Sequence, residues 1–286
     1  MSSMTSELHT LHGARMRSFV LPREHGAWGI LLIPLVSGGW IGYEAGARIA
    51  SLLLFAVAAL ALFCLRTPAE IWLETSPLRA QTAAEKRTVL LSIGVYASLA
   101  ATALFVLIWR ERAALLLVLG AAVAALFVAQ GILKKLSRRN RMLAQLVGAL
   151  GLTSTAAGAY YVVTGNLDAT AMVVWGLNWL FAADQIHFVQ LRIRAPRAAT
   201  LAEKLNEGRR FLAGEALTVL ILLLAWRLGD LPGAAAGAFG PVLARGLVWF
   251  FRRPTPLGIH RLGFSELAHA LTFGALLILG FHIHGN

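Results

Sequence analysis

From Gly26 onward the chain alternates long apolar runs with short polar links, and the runs show no period-2 alternation. Inside lipid only helices and closed barrels satisfy their own backbone groups. Barrel strands would alternate apolar and polar residues. A helix crossing the hydrocarbon needs about 20 mostly apolar residues, so the pattern predicts an all-α membrane protein, a bundle of about nine transmembrane helices. The expected spans are 26–43, 47–65, 88–109, 113–133, 142–164, 169–190, 211–226, 232–251 and 264–282. The seventh is short, which moves its expected start back toward Glu207. Pro34 falls inside the first span and is expected to kink it. Residues 1–22 are mostly polar, lack the apolar core of a signal peptide and read as a poorly ordered cytoplasmic tail. Residues 23–286 read as one transmembrane domain.

Composition agrees with the pattern. Hydrophobic residues are 58% and charged residues 14% of the chain; soluble domains carry roughly 25% charge. The single cysteine, Cys64, lies in an apolar run and reads as packing. The net charge of +12 would point to nucleic acid in a soluble protein. Here the cations sit in the links, the pattern that orients membrane proteins, so no nucleic-acid partner is expected. The tail and the second, fourth, sixth and eighth links hold all but five of the 26 Lys and Arg residues. The exceptions are Arg48, Arg110, Arg112 and Arg227 on the other side and Arg245 within a span. Positive charge stays inside, so the N-terminus is expected in the cytoplasm and the C-terminus outside, in the plasma membrane of a bacterium.

Charge near lipid is costly and marks pairing or function. Asn178, Asp184, His187 and Gln190 fall in the half of the sixth span nearest the cytoplasm. Asp184 and His187, spaced i, i+3, share a face, and the run WLFAA before Asp184 points to a cavity or bundle interior. Glu215, Arg245, Glu266 and His269 map to the same side. Glu70 and Glu74 are spaced i, i+4; on a helix both would project from one face, where Mg2+ could be held through carboxylates and substrate phosphates. A solvated amphipathic turn anchored by Trp72 is the competing reading. The link LKKLSRRNR carries Lys134, Lys135, Arg138, Arg139 and Arg141 within residues 133–141. Topology explains positive charge there, and its density adds a phosphate-binding edge as a second reading.

The opening LPREHGAWGILLIPLVSGG, residues 21–39, resembles that of YwiC-like membrane proteins, a group similar to the UbiA superfamily of intramembrane prenyltransferases. RTPAEIWLE, residues 66–74, sits where those enzymes carry their first Asp-rich motif: Glu70 and Glu74 match two of its three acids, and Arg66 and Thr67 replace Asn and Asp. KKLSRRNRMLAQLVG, residues 134–148, resembles their basic link, with Gln145 and Gly148 one position closer than the family spacing. AADQIHFVQLRIR, residues 182–194, keeps Asp184 and Gln190 of the second motif, with Leu191 and Arg194 in place of its later acids.

The resemblance implies a cytoplasm-facing cavity for an isoprenoid or other lipid diphosphate. In that reading Glu70 and Glu74 hold Mg2+. Lys134, Lys135, Arg138, Arg139, Arg192, Arg194 and Arg66 contact phosphate, with Asn178 and Gln190 beside them. Asp184, His187 and His25 orient substrate or exchange protons. Loss of the later acids leaves one metal at most, with arginines neutralising the diphosphate, or a retained fold without the chemistry. Two alternatives stand beside it: a transporter or lipid-binding protein, and a metal or haem site built from His25, His187 and His269 with Glu70 or Asp184.

Overall fold

The structure is a computed structural model that describes residues 16, 18–22, 25–43, 48–76, 78–111, 113–137, 140–195, 198–252 and 258–285, with backbone alone at 25, 284 and 285. Every regular element among them is helical. In chain order these are α1 (His25–Ile41), α2 (Ile49–Trp72), α3 (Ala83–Trp109), α4 (Leu115–Leu136), α5 (Arg141–Thr153), α6 (Thr155–Thr164), α7 (Ala169–Arg194), α8 (Leu201–Leu228), α9 (Gly233–Ala236), α10 (Gly240–Phe251) and α11 (Ile259–Gly285). A short 3₁₀ turn, Gly237–Phe239, joins α9 to α10.

Seven segments among the described residues are long and apolar enough to cross a membrane: Ile49–Trp72, Ala83–Trp109, Leu115–Leu136, Arg141–Thr164, Leu201–Leu228, Gly233–Phe251 and Ile259–Ile283. The chain is a multi-pass membrane protein. The remaining two expected spans are helical as well. The first is the shorter apolar helix α1, and the sixth is the more polar α7.

Two helices begin well before the apolar run does. α3 starts at Ala83, where Thr82 Oγ1 accepts from Glu85 N at 3.2 Å and Glu85 Oε2 accepts from Thr82 N at 3.1 Å. α8 starts at Leu201 with the same reciprocal box between Thr200 and Glu203. Each box satisfies amide donors that the first helical turn leaves without partners.

The chain forms two compact units. The first comprises the chain up to His25 together with Ile49–Ala114. In it α2 packs along α3, and Phe19, from the segment expected to be a loose tail, is buried against Ile71 and Val89. The second comprises Gly26–Arg48 and Leu115–Asn286. Its core gathers Leu177 and Phe181 of α7, Phe239 of the 3₁₀ turn, Val242 of α10 and Phe273 and Leu277 of α11. Phe181 stacks on Phe273 with ring centroids 4.1 Å apart.

The segment Arg141–Thr164 is 72% buried, against 11% for Leu115–Leu136, so it is an interior element rather than a lipid-facing one. It breaks at Ser154 without proline. Three successive hydroxyls take up the carbonyls near the break: Thr153 Oγ1 donates to Ala149 O, Ser154 Oγ to Gly151 O, and Thr155 Oγ1 to Leu152 O and across to Leu31 O of α1. Such hydroxyls satisfy backbone groups where water is absent. Two indoles fix α5 against α7: Trp175 Nε1 donates to Leu150 O at 3.0 Å and Trp179 Nε1 to Leu146 O at 3.1 Å.

Candidate functional site

The buried side of α7 follows helical spacing through Val174, Leu177, Phe181, Asp184, Phe188 and Leu191. Asp184 therefore enters the bundle because the apolar stripe carries it there. It meets Arg245 of α10, whose Nη2 donates to Asp184 Oδ2 at 2.5 Å. Arg245 Nη1 donates to Glu266 Oε2 of α11. The guanidinium lies over the Phe188 ring, 4.1 Å from its centroid, a cation–π contact one helical turn beyond Asp184. Glu215 of α8 approaches Asp184 closely enough for a hydrogen bond between the two carboxyl groups. Gln185 Nε2 ties the site to α11 by donating to Glu266 O at 2.8 Å. A Cβ at Gly246 would sit 2.4 Å from Glu215 Oε1 and 2.9 Å from the Phe211 ring, so this position admits no side chain without movement. The result is one guanidinium among three carboxyl groups from four helices, all buried.

A second polar feature lies where α4 ends, α5 begins and α7 ends. The indole bonds pair rising α7 numbers with falling α5 numbers, so these helices are antiparallel and Arg192 and Arg194 lie at the N-terminal end of α5. Gln190 Nε2 donates to Gln145 Oε1 at 3.4 Å. Gly148 of α5 presses on Gln130 of α4, where an added Cβ would lie 2.2 Å from Nε2. One glutamine from each of three helices thus lies where these helix ends meet. Around them stand Lys134 and Lys135 in the last turn of α4, Arg141 at the start of α5, and Arg192 and Arg194 in the last turn of α7. Arg192 is half-buried and the other four are exposed. Asn140 precedes α5 without capping it through its side chain, and uncapped first-turn amides favour an anion.

The other expected residues divide as follows. Asn178 is buried; its Nδ2 donates to Ser37 Oγ of α1 at 3.2 Å and to Val174 O at 2.9 Å, and it lines a small cavity with Pro34, Thr153, Phe181 and Gln185. Its place is a tie between α1 and α7. His187 is half-buried on α7 opposite Gly214 of α8, where an added Cβ would lie 3.5 Å from Nδ1. In the first unit Arg66 Nε pairs with Glu70 Oε1 at 2.9 Å, one helical turn apart. The shared helical face expected for Glu70 and Glu74 is not formed. α2 ends at Trp72, and Glu74 takes a left-handed conformation (φ 55°) while Thr75 N and Ser76 N both turn back onto Glu70 O. Among the described residues no three His, Cys, Asp or Glu side chains are grouped to hold a metal ion. His269 Nδ1 lies 2.7 Å from Ser265 O of its own helix. Arg138, Arg139 and the side chain of His25 lie outside the described residues.

Glu215, Arg245 and Glu266 were not among the candidate site residues, although each is an ionisable group within an apolar run. That was the signal available. Their convergence on Asp184, from positions 31, 61 and 82 residues away in sequence, has no local signature.

The model of the YwiC-like protein family matches residues 21–161. No curated protein and no solved structure matches the chain. The matched segment ends within α6, so Lys134, Lys135, Arg141 and Gln145 fall inside it, and all four members of the buried ionic cluster fall outside.

Proposed function

We propose, for a membrane protein that is YwiC-like over residues 21–161, that the basic helix ends of the second unit hold a phosphate-bearing lipid of the isoprenoid diphosphate class. The observation that carries this is the Gln190–Gln145 hydrogen bond with the close approach of Gly148 to Gln130, which together bring the cation-bearing ends of α4 and α7 to the start of α5, where no side chain caps the helix. Arginine and lysine side chains make charge-assisted hydrogen bonds to phosphate oxygens. The start of α5 adds backbone amides of the same polarity. The apolar flanks of these helices suit the hydrocarbon tail. The likeness of residues 66–74 and 182–194 to UbiA motifs favours a diphosphate over a monophosphate. By the distribution of Lys and Arg this end faces the cytoplasm of a bacterium.

The test is titration of the purified protein, in detergent, with a farnesyl or geranylgeranyl diphosphate, the monophosphate and the parent alcohol, each with and without Mg2+. Diphosphate is expected to bind tightest and to weaken as salt rises. Arg192→Gln with Arg194→Gln is expected to loosen it by about tenfold, or about 1.4 kcal/mol. Equal affinity for diphosphate and alcohol would refute the reading. Release of diphosphate during the incubation would extend it from binding to prenyl transfer or hydrolysis.

A further inference from the structure

The ionic cluster of α7, α8, α10 and α11 has a charge balance that the ion pairs alone do not close. Arg245 faces three carboxyl groups, Asp184, Glu215 and Glu266. Asp184 and Glu266 are each 8% exposed and Glu215 is 9% exposed. Among the described residues the other charged or titratable groups near them are Arg192, which lies within electrostatic reach of Glu266, and His269, within reach of Asp184 and Glu266. His187 sits three residues beyond Asp184, within electrostatic reach of Arg194 and with its ring against Gly214 of α8. With His269 neutral, the two arginines leave three potential negative charges against two positive ones. One carboxyl group therefore stays without a counter-charge, in surroundings where an unpaired ion costs several kcal/mol.

The geometry points to Glu215 as that group. Asp184 and Glu215 are within hydrogen-bond reach of each other. Two carboxylates have only acceptors to offer, so a bond between them requires one hydrogen. Asp184 is held by the Arg245 guanidinium, whereas among the described residues no cation forms an ion pair with Glu215. Glu215 Oε1 is buried without any hydrogen-bond partner, as are Glu266 Oε1 and Arg245 Nε. Glu215 is thus nine-tenths buried, aimed into the cluster and incompletely satisfied there.

We infer that the cluster is a proton-binding site, in which a single proton is carried on Glu215 and donated to Asp184 while Arg245 holds the Asp184 and Glu266 carboxylates. Adding the proton makes the Glu215–Asp184 hydrogen bond and brings the count to two acids against two arginines. Removing it leaves two facing anions. The site shares only the charge of Arg192 with the basic helix ends proposed to hold lipid phosphate, and its test contains no lipid diphosphate, so the two readings stand or fall separately.

The experiment is infrared difference spectroscopy of the full chain in detergent across a pH titration in choline chloride, with thermal unfolding measured in parallel. The wild type is expected to keep a protonated-carboxyl C=O band at neutral pH. Glu215→Gln, which keeps a donor toward Asp184 without the titratable proton, is expected to remove the band, and His269→Gln to leave it. A native state that holds a proton the unfolded chain releases loses stability as pH rises. The wild-type Tm should therefore fall from pH 6 toward pH 9, and the fall should be smaller in Glu215→Gln. Absence of the band in the wild type, or its persistence in Glu215→Gln, overturns the inference. The wild-type titration decides the first point even if the variant fails to fold.

Discussion

The two units each contain an arginine paired with glutamate, and the pairs differ in what surrounds them. Arg66 and Glu70 are one turn apart on α2, with side chains 24% and 42% exposed. Arg245 is held by acids from two other helices, and its side chain is 8% exposed. The first pair exists because neighbouring turns of one helix place the groups together, and water screens it. The second exists only once the bundle has closed, and nothing screens it. An exposed pair is worth little. Breaking a buried one strands a charge, which is far more costly than the pair's net contribution. The same residue types therefore report on helix formation in one unit and on tertiary assembly in the other.

Substitutions can break that contrast or sharpen it. Arg245→Ala leaves Asp184 and Glu266 buried without their cation and should cost about 3–5 kcal/mol; loss of folded protein in detergent, read by size-exclusion chromatography and Tm, checks it. Gly38→Ala tests assembly without charge. Its Cβ would sit 2.1 Å from the Ala156 carbonyl oxygen, a backbone atom that cannot rotate away. The expected loss is about 3 kcal/mol, visible as a lower Tm. Lys204→Met removes a buried ammonium that donates to Trp249 O and Arg252 O at the end of α10 and lies 5.4 Å from the Trp249 ring centroid. Its loss should cost about 2 kcal/mol, with faster hydrogen exchange confined to the last turn of α10. A double-mutant cycle on Arg66 and Glu70 should give a coupling of only about 0.3–0.5 kcal/mol. A coupling there as large as at Arg245 would erase the distinction between the units.

The positions of the helices were largely legible in the sequence because lipid imposes one requirement, a continuous apolar run, that a single chain displays openly. Their starts were less so. The expected starts at 88 and, drawn back from 211, near 207 fall five and about six residues late, since α3 begins at Ala83 and α8 at Leu201. The missed turns are polar, so hydropathy passes over them. Thr82–Glu85 and Thr200–Glu203 nevertheless spell the capping-box spacing, a local signal that was available. α2 likewise runs to Trp72, past the expected end at 65 and through Pro68. The buried site was half legible. Asp184 stood out as an acid in an apolar run, but its partner Arg245 lies 61 residues away. Periodicity describes one helix at a time and carries no information on which helices meet.

The break at Ser154 has a mechanical consequence. Below it, two indoles set the register of α5 along α7; above it, α6 lies against α1 at Gly38, with no room for a side chain between them. Because hydroxyls, not a proline, accommodate the break, replacing Thr153, Ser154 and Thr155 by valine or alanine would leave the carbonyls they bond bare in hydrocarbon and would cut the tie from Thr155 to Leu31 of α1.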